Sequence, residues 1–424
     1  MPVTSPRTYA EVLAPPAHQA LAGAGLLARL PLAVLGFSAL LVVEDTTGSF
    51  TLGGAVSGVV VAANAAAGPA LGRLGDRHGQ ARVLRAATLL SLLGVAAFVL
   101  ATSAHAPAPA ILAAAALAGA GVVPIGSFTR GRWSQLYTPS DRHPMNGARL
   151  GTAYAVEAVL DELVWVGGPV TVSALAALTD ARLAMIGACA MGALGSILLA
   201  AQKPGAENPD TRNPGATDPK PAPTGKLSFL PATSPSVLAA LAVLASMFAV
   251  GITFGLNDLS AVAFTKDAGV PGLAGTVVAA GSLGAVIGGL TAGLSPTTDP
   301  QRGVSIGAVL FLIAYTPLAF ASNVPTVLAL SFAGGLAYAP FSVAANRLIE
   351  RQSPAVRLTE SLAWLTTANL AGFALGALIG GTAIDHWGPR GGYYLVPISA
   401  LATLLLAVAG ALWTRNTRTR PVRN

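Results

Sequence analysis

Three carboxylates crowd into one short apolar stretch, A-V-E-A-V-L-D-E-L-V-W: Glu157, Asp161 and Glu162. On an α-helix, Glu157 and Asp161 share a face, while Glu162 is turned about 100° from Asp161. With a helix beginning near Leu150, Glu157 lies roughly 10 Å along it and the 161–162 pair roughly 17 Å along it. A charge at the middle of a bilayer costs about 2.5–3.5 kcal/mol or more, so three in one apolar run require a task or a set of partners. Two readings follow. Acids this close compete for charge, which poises one for proton exchange or for holding a substrate. Alternatively, they pair with Arg130, Arg132 or Arg149 and only hold helices together.

Other polar residues stand inside apolar runs. Arg29, in L-A-R-L-P, either snorkels to the headgroups or faces inward as counter-charge to the acids. Asn257 and Asp258 close another apolar run, where they contact a substrate or simply end a helix. Asn64, Trp165, Tyr338, Trp364 and Asn369 could line a cavity or serve as packed helix contacts. The constellations of soluble enzymes are missing. There is no H-E-x-x-H and no C-x-x-C, the five histidines are scattered, and the single Cys189 lies in an apolar run. No enzyme activity, cofactor or metal is expected. Nor is there a G-x-x-x-x-G-K-[ST] loop, so this chain is not expected to be driven by ATP.

The elements that must position these residues are membrane spans. Charged residues are 10% of the 424, against roughly 25% in soluble domains, and the mean hydropathy is +0.64. A span needs about 20 mostly apolar residues. Twelve runs qualify: 24–44, 53–71, 83–102, 108–128, 150–172, 181–201, 236–256, 271–294, 303–322, 325–345, 361–384 and 392–413. The expected fold is an all-α membrane protein of twelve transmembrane helices.

Basic residues set the orientation. Of the 25, all but Arg29 and the trio Arg182, Lys266 and Arg390 fall on one side if both termini share it. That side is expected to be the cytoplasm. The net charge of +7 then reflects membrane orientation and not nucleic-acid binding. Residues 1–23 read as an uncleaved cytoplasmic tail and 414–424 as a basic one. Residues 202–235, rich in proline with mixed charge, break the apolar rhythm and read as a mobile linker. The linker divides the chain into helical domains at 24–201 and 236–413.

Between the second and third runs the chain reads G-R-L-G-D-R-H-G-Q-A-R, a short, water-facing loop. It resembles the signature loop between spans 2 and 3 of the major facilitator superfamily, usually written G-x-L-x-D-R-x-G-R/K. Gly72, Leu74, Asp76, Arg77 and Gly79 match in register, and Gln80 stands where a basic residue is usual. Gly381, Asp385 and Gly388 repeat the G-x-x-x-D-x-x-G spacing near the end of span 11. Gly167-Gly168-Pro169 resembles part of the span-5 motif of the superfamily's antiporters, although Val172-Ser173 replaces its trailing glycines.

The resemblance implies two six-helix bundles around a central site, exposed to either side in turn. It implies a secondary transporter for a small molecule, a monomer in the bacterial cytoplasmic membrane, embedded in lipid and coupled to protons. Efflux is suggested by the span-5 motif, and acids in an apolar path suit an amphipathic or cationic compound. A sugar or metabolite transporter of the same fold is the alternative. A non-transporting receptor would need a larger output domain than residues 202–235 provide. The resemblance also casts Asp76 as a gating residue, bonding across to the inner start of span 11.

The charge asymmetry makes a direct prediction. With Cys189 replaced, single cysteines at Thr217 and Ser103 should react with an impermeant maleimide from opposite sides of the membrane. Labelling of both from outside intact cells would sink the twelve-span topology.

Overall fold

A computed structural model describes residues 6–137, 146–202, 235–294, 299–352 and 358–418. The expected linker, the extreme tails and the turn into the eleventh span lie outside these residues. The described residues form α1 (Pro6–Leu13), α2 (Pro16–Thr47), α3 (Phe50–His78), α4 (Gln80–Ser103), α5 (Ala108–Ala120), α6 (Ile125–Leu136), α7 (Asn146–Leu178) and α8 (Ala181–Ala201). The second half continues with α9 (Pro235–Asp267), α10 (Ala274–Leu294), α11 (Pro300–Tyr315), α12 (Val324–Gln352), α13 (Leu358–Trp387) and α14 (Gly391–Arg418). Among the described residues, twelve helical segments are long and apolar enough to cross a bilayer, with α5 and α6 together making the fourth.

Several helices outrun the apolar windows read from the sequence. α2 has 32 residues and α7 has 33, or about 50 Å each, against a hydrocarbon core of about 30 Å. Hydropathy marks only the lipid-facing part; the backbone stays helical beyond it because its hydrogen bonds are internal. One consequence is local to the signature stretch. It is not an extended loop: α3 runs on through Asp76 and Arg77 to His78, and α4 starts at Gln80. Gly79 alone breaks the path, with φ of 86°, a conformation that glycine adopts without steric cost. Gly75 lies against the Phe128 ring, while Asp76 and Arg77 are exposed.

The fourth span is broken at Gly121–Pro124. Proline lacks the N–H that would continue the helix, and the side-chain amide of Asn64 donates to the freed carbonyl of Val122 at 2.8 Å. Below the break α6 is polar, I-G-S-F-T-R-G-R-W-S-Q-L, and it carries residues of the site described below.

α2 to α8 form one bundle and α9 to α14 a second. Each bundle has its own apolar core. The bundles meet chiefly where α3 packs on α13 and α7 on α10. These contacts are backbone-close: a Cβ at Gly54 would strike the Ala377 carbonyl, and one at Gly275 would strike that of Pro169. The glycine stripes at Gly284/Gly288 and Gly372/Gly376 instead serve contacts within the second bundle, α10 on α12 and α13 on α9.

Polar bonds between the bundles gather on the side away from the termini. The Asp385 carboxylate accepts from the backbone N–H of Phe50 (3.0 Å) and Thr51 (2.8 Å) and from the Ser49 hydroxyl (3.2 Å). It therefore caps the N-terminus of α3 from the other bundle, where the helix dipole favours an anion. Nearby, Lys266 pairs with Glu44. The Ser173 hydroxyl donates to Gly272 O and accepts from Gly275 N, both at 3.0 Å. Between described residues, no hydrogen bond or ion pair joins the bundles on the terminal side. Among the described residues, these polar contacts latch the bundles on the side away from the termini.

Removing the cross-bundle cap should loosen that latch. Asp385→Ala is expected to cost the closed arrangement about 1 kcal/mol, a population shift of roughly five-fold. Spin labels at Thr47 and Asp267 would report it as a broader, longer distance distribution. An unchanged distribution would show that packing alone holds this side.

Candidate functional site

α7 brings Glu157 and Asp161 to one face, as their four-residue spacing requires. That face meets α2 and α6. Because α2 begins at Pro16, Arg29 lies about 20 Å along it. Its side chain is 2% exposed and bonds to both acids: Nη2 pairs with Glu157 Oε2, and Nε lies 2.6 Å from Asp161 Oδ1. The snorkelling reading of Arg29 is thereby excluded. Gly25, one turn earlier, leaves room for the guanidinium, since a Cβ there would lie 2.8 Å from Nη1.

α6 completes the network. The Thr129 hydroxyl accepts from Arg29 Nη2 at 3.0 Å and donates to Glu157 Oε2. Trp133 Nε1 donates to Glu157 Oε1 at 2.8 Å, and Arg130 Nη2 lies 2.6 Å from Asp161 Oδ2. Glu157 is fully buried and has three donors. Asp161 is 30% exposed and sits between two arginines. Two cations and two anions cancel, which is what burial of charge demands.

Arg132 does not join this network. It donates to Gln80 Oε1 at 2.9 Å and to Leu199 O at 2.8 Å. Gln80, in turn, donates to Phe128 O at 3.3 Å. This explains the departure from the signature pattern: a cation at position 80 would face Arg132, whereas an amide both accepts and donates.

The third acid stands apart. Glu162 is exposed and has no hydrogen bond or ion pair with a described residue. In the second bundle, Asp258 is half-buried and its one hydrogen-bond contact, from Asn257 Nδ2, is long at 3.5 Å. Asn257 and Asp258 do not end their helix. α9 continues nine residues further, because L-S-A-V-A-F extends the apolar pattern, so both lie about 14 Å inside its far end. One turn before Asp258, Phe254 packs edge-on to Tyr338, with ring centroids 4.9 Å apart. Trp165 and Trp364 are each more than a third exposed.

Asn64 and Asn369 serve the backbone, donating to Val122 O and, at 3.4 Å, to Met247 O. Gly72, Asp76, Arg77 and Gly79 lie on the terminal side, at the end of α3. The side chains expected to receive Asp76 at the start of α13 lie outside the described residues. Thr129 and Trp133 were not singled out from the sequence. Their signal was present as a polar run, T-R-G-R-W, at the end of an otherwise apolar span. Among the described residues no group of His, Cys, Asp and Glu is arranged to hold a metal.

The Major Facilitator Superfamily family model matches residues 21–302 and again 261–424. The chain belongs to the Major Facilitator Superfamily. Comparison with curated protein sequences returns no significant match. Among solved structures, the nucleoside transporter NupG superposes with a TM-score of 0.66 at 15% identity, over 93% of this chain and 98% of that one. An auto-inhibited POT-family peptide transporter gives 0.66 at 13% identity, over 99% and 98%. A bacterial homologue of the human lysosomal transporter Spinster, in an inward-facing and occupied conformation, gives 0.62 at 14%, over 99% and 98%. These likenesses establish the fold. As a superfamily member, the protein is a multi-pass membrane transporter and not an enzyme.

The network should behave as one unit. Arg29→Ala strands the buried Glu157, leaving Asp161 to Arg130 alone, and should cost about 3–5 kcal/mol of stability. Adding Glu157→Leu should recover part of that loss, because the carboxylate left without a cation is then gone. Melting curves of the two variants in detergent check this; strictly additive losses would show that the residues are not coupled.

Proposed function

We propose that this protein is a proton-coupled exporter of small amphipathic cations, acting as a monomer in the bacterial cytoplasmic membrane. The observation that carries the reading is the contrast among four carboxylates within the apolar spans: Glu157 and Asp161 are neutralised by arginines, while Glu162 and Asp258, one on each bundle, have no cation partner among the described residues. An unpaired acid in an apolar surround favours a bound cation, and the aromatic rings at Phe254 and Tyr338 add a cation–π surface.

The terminal side is the cytoplasmic side, by the distribution of basic residues. The structure is then latched outside and set to receive substrate from the cytoplasm. Asp161 is the coupling residue. It stands at the exposed edge of the network, so a proton can reach it, and its protonation discharges the ion pairs with Arg29 and Arg130. α6 is then freed to move on the Gly121–Pro124 break. A proton entering down its gradient thus weakens the contact between α6 and α7, while the substrate cation leaves Glu162 and Asp258 on the opposite face. The partial antiporter motif at Gly168-Pro169 supports the outward direction. Asn257 orients Asp258, and Trp165 and Trp364 border the path.

Proteoliposomes with an imposed pH gradient test the reading, using tetraphenylphosphonium as the probe. Asp161→Asn should abolish gradient-driven transport yet retain binding and exchange, since the amide mimics the protonated acid. Glu162→Gln and Asp258→Asn should each weaken binding by about ten-fold, the equivalent of one charge-assisted contact. Wild-type rates in all three variants would refute both the coupling and the binding assignments.

A further inference from the structure

Glu157 takes one of its three donors from Trp133, and Trp133 packs in an apolar cluster that includes Val12 of α1 as well as residues of the spans. Its indole is fully buried. The Tyr137 ring lies parallel to it, with centroids 6.1 Å apart and 2° between planes. The His18 ring meets the Trp133 indole edge-on, with centroids 5.1 Å apart at 71° between planes. His18 is fixed in turn by the short helix α1: its Nδ1 lies 2.8 Å from the Val12 carbonyl. That carbonyl is in the last turn of α1, where helix carbonyls lack internal partners. Val12 is itself fully buried, in the same apolar cluster as Trp133, Tyr137, Leu21 and Ala153. α1 rests on α7, the helix that carries Glu157, and on α2, which carries Arg29.

A continuous chain of contacts therefore runs from α1 through His18 and Trp133 to the buried Glu157–Arg29 pair. It crosses to α6 at the point where that helix needs holding. α6 is separated from α5 by the Gly121–Pro124 break, so the helix above cannot transmit rigidity to it. We infer that α1 and His18 act as a clamp that positions Trp133 on Glu157, making the N-terminal helix a positioning element of the ion network. The alternative for these residues is plain packing, in which Val12 and His18 cover apolar surface and Glu157 is indifferent to them. The two differ in what happens to Glu157 when α1 is removed.

The test reads Glu157 directly and needs no transport substrate, so it stands or falls separately from the export reading. Dicyclohexylcarbodiimide forms a stable adduct with protonated carboxyls in apolar surroundings, and peptide mass spectrometry locates it. In the wild-type protein Glu157 should resist labelling, because it is buried and has three donors. Deletion of residues 2–14, His18→Ala and Trp133→Phe should each raise labelling at Glu157 about ten-fold, the equivalent of one hydrogen bond to a charged group. Labelling at the exposed Glu162 serves as the internal control and should not change. Met185→Ala, in a different apolar cluster, lowers stability without touching the chain of contacts and should leave Glu157 resistant. The deciding variant combines Trp133→Phe with the deletion. If α1 acts through Trp133, the combination labels no more than Trp133→Phe alone. Unchanged labelling in the deletion, or effects that multiply in full, would overturn the inference and leave α1 as a packing element.

Discussion

The first bundle depends on one guanidinium. Arg29 is buried among α2, α6 and α7, and it binds Glu157 and Asp161 through different nitrogens. Without it, Glu157 would be a buried carboxylate with no cation, and Asp161 would keep Arg130 alone. With it, three helices are tied at one depth. The ion pairs are not a source of large net stability, since desolvation offsets most of the attraction. What they provide is registration, because a buried charge tolerates only the arrangement in which its partner is present.

That arrangement also divides labour among the acids. Glu157 is saturated with donors and out of reach of water. Asp161 is bound to two arginines but remains partly exposed. Glu162, the next residue, points elsewhere because a helix turns about 100° per residue. Three neighbouring acids in the sequence thus come to differ in their surroundings: one saturated with donors, one shared by two arginines and one exposed. The fourth span is broken beside them, so α6 carries Thr129, Arg130 and Trp133 on a segment whose connection to α5 is not helical.

At the far side of the molecule the same economy of polar groups appears between bundles. Asp385 caps α3, Ser173 bridges to the start of α10, and Lys266 meets Glu44. Each involves residues within a turn or two of a helix end. Ser173 stands beyond the Gly168-Pro169 pair, where the antiporter motif has glycine, and it supplies a cross-bundle hydrogen bond that glycine cannot.

The all-helical architecture, the twelve crossings and the family were legible in the sequence. Each rests on local quantities: the length of apolar runs, set by bilayer thickness, and a short motif in fixed register. The acids of span 5 were legible as a group for the same reason, since the cost of charge in hydrocarbon does not depend on what surrounds it. Their partners were legible only as alternatives. Arg130, Arg132 and Arg149 were equal candidates and Arg29 had an inward reading beside a snorkelling one, yet it is Arg29 and Arg130 that pair with the acids. Asn257 and Asp258 read as a helix end because hydropathy falls there, but hydropathy measures lipid contact and not backbone continuity. Asp385 was visible only as a repeat of spacing; its role at the end of α3 arises because two bundles bring residue 385 against residues 49–51. Pairing between helices is decided by rotation, depth and the position of breaks, all set by packing across the whole chain, and only the tertiary structure contains them.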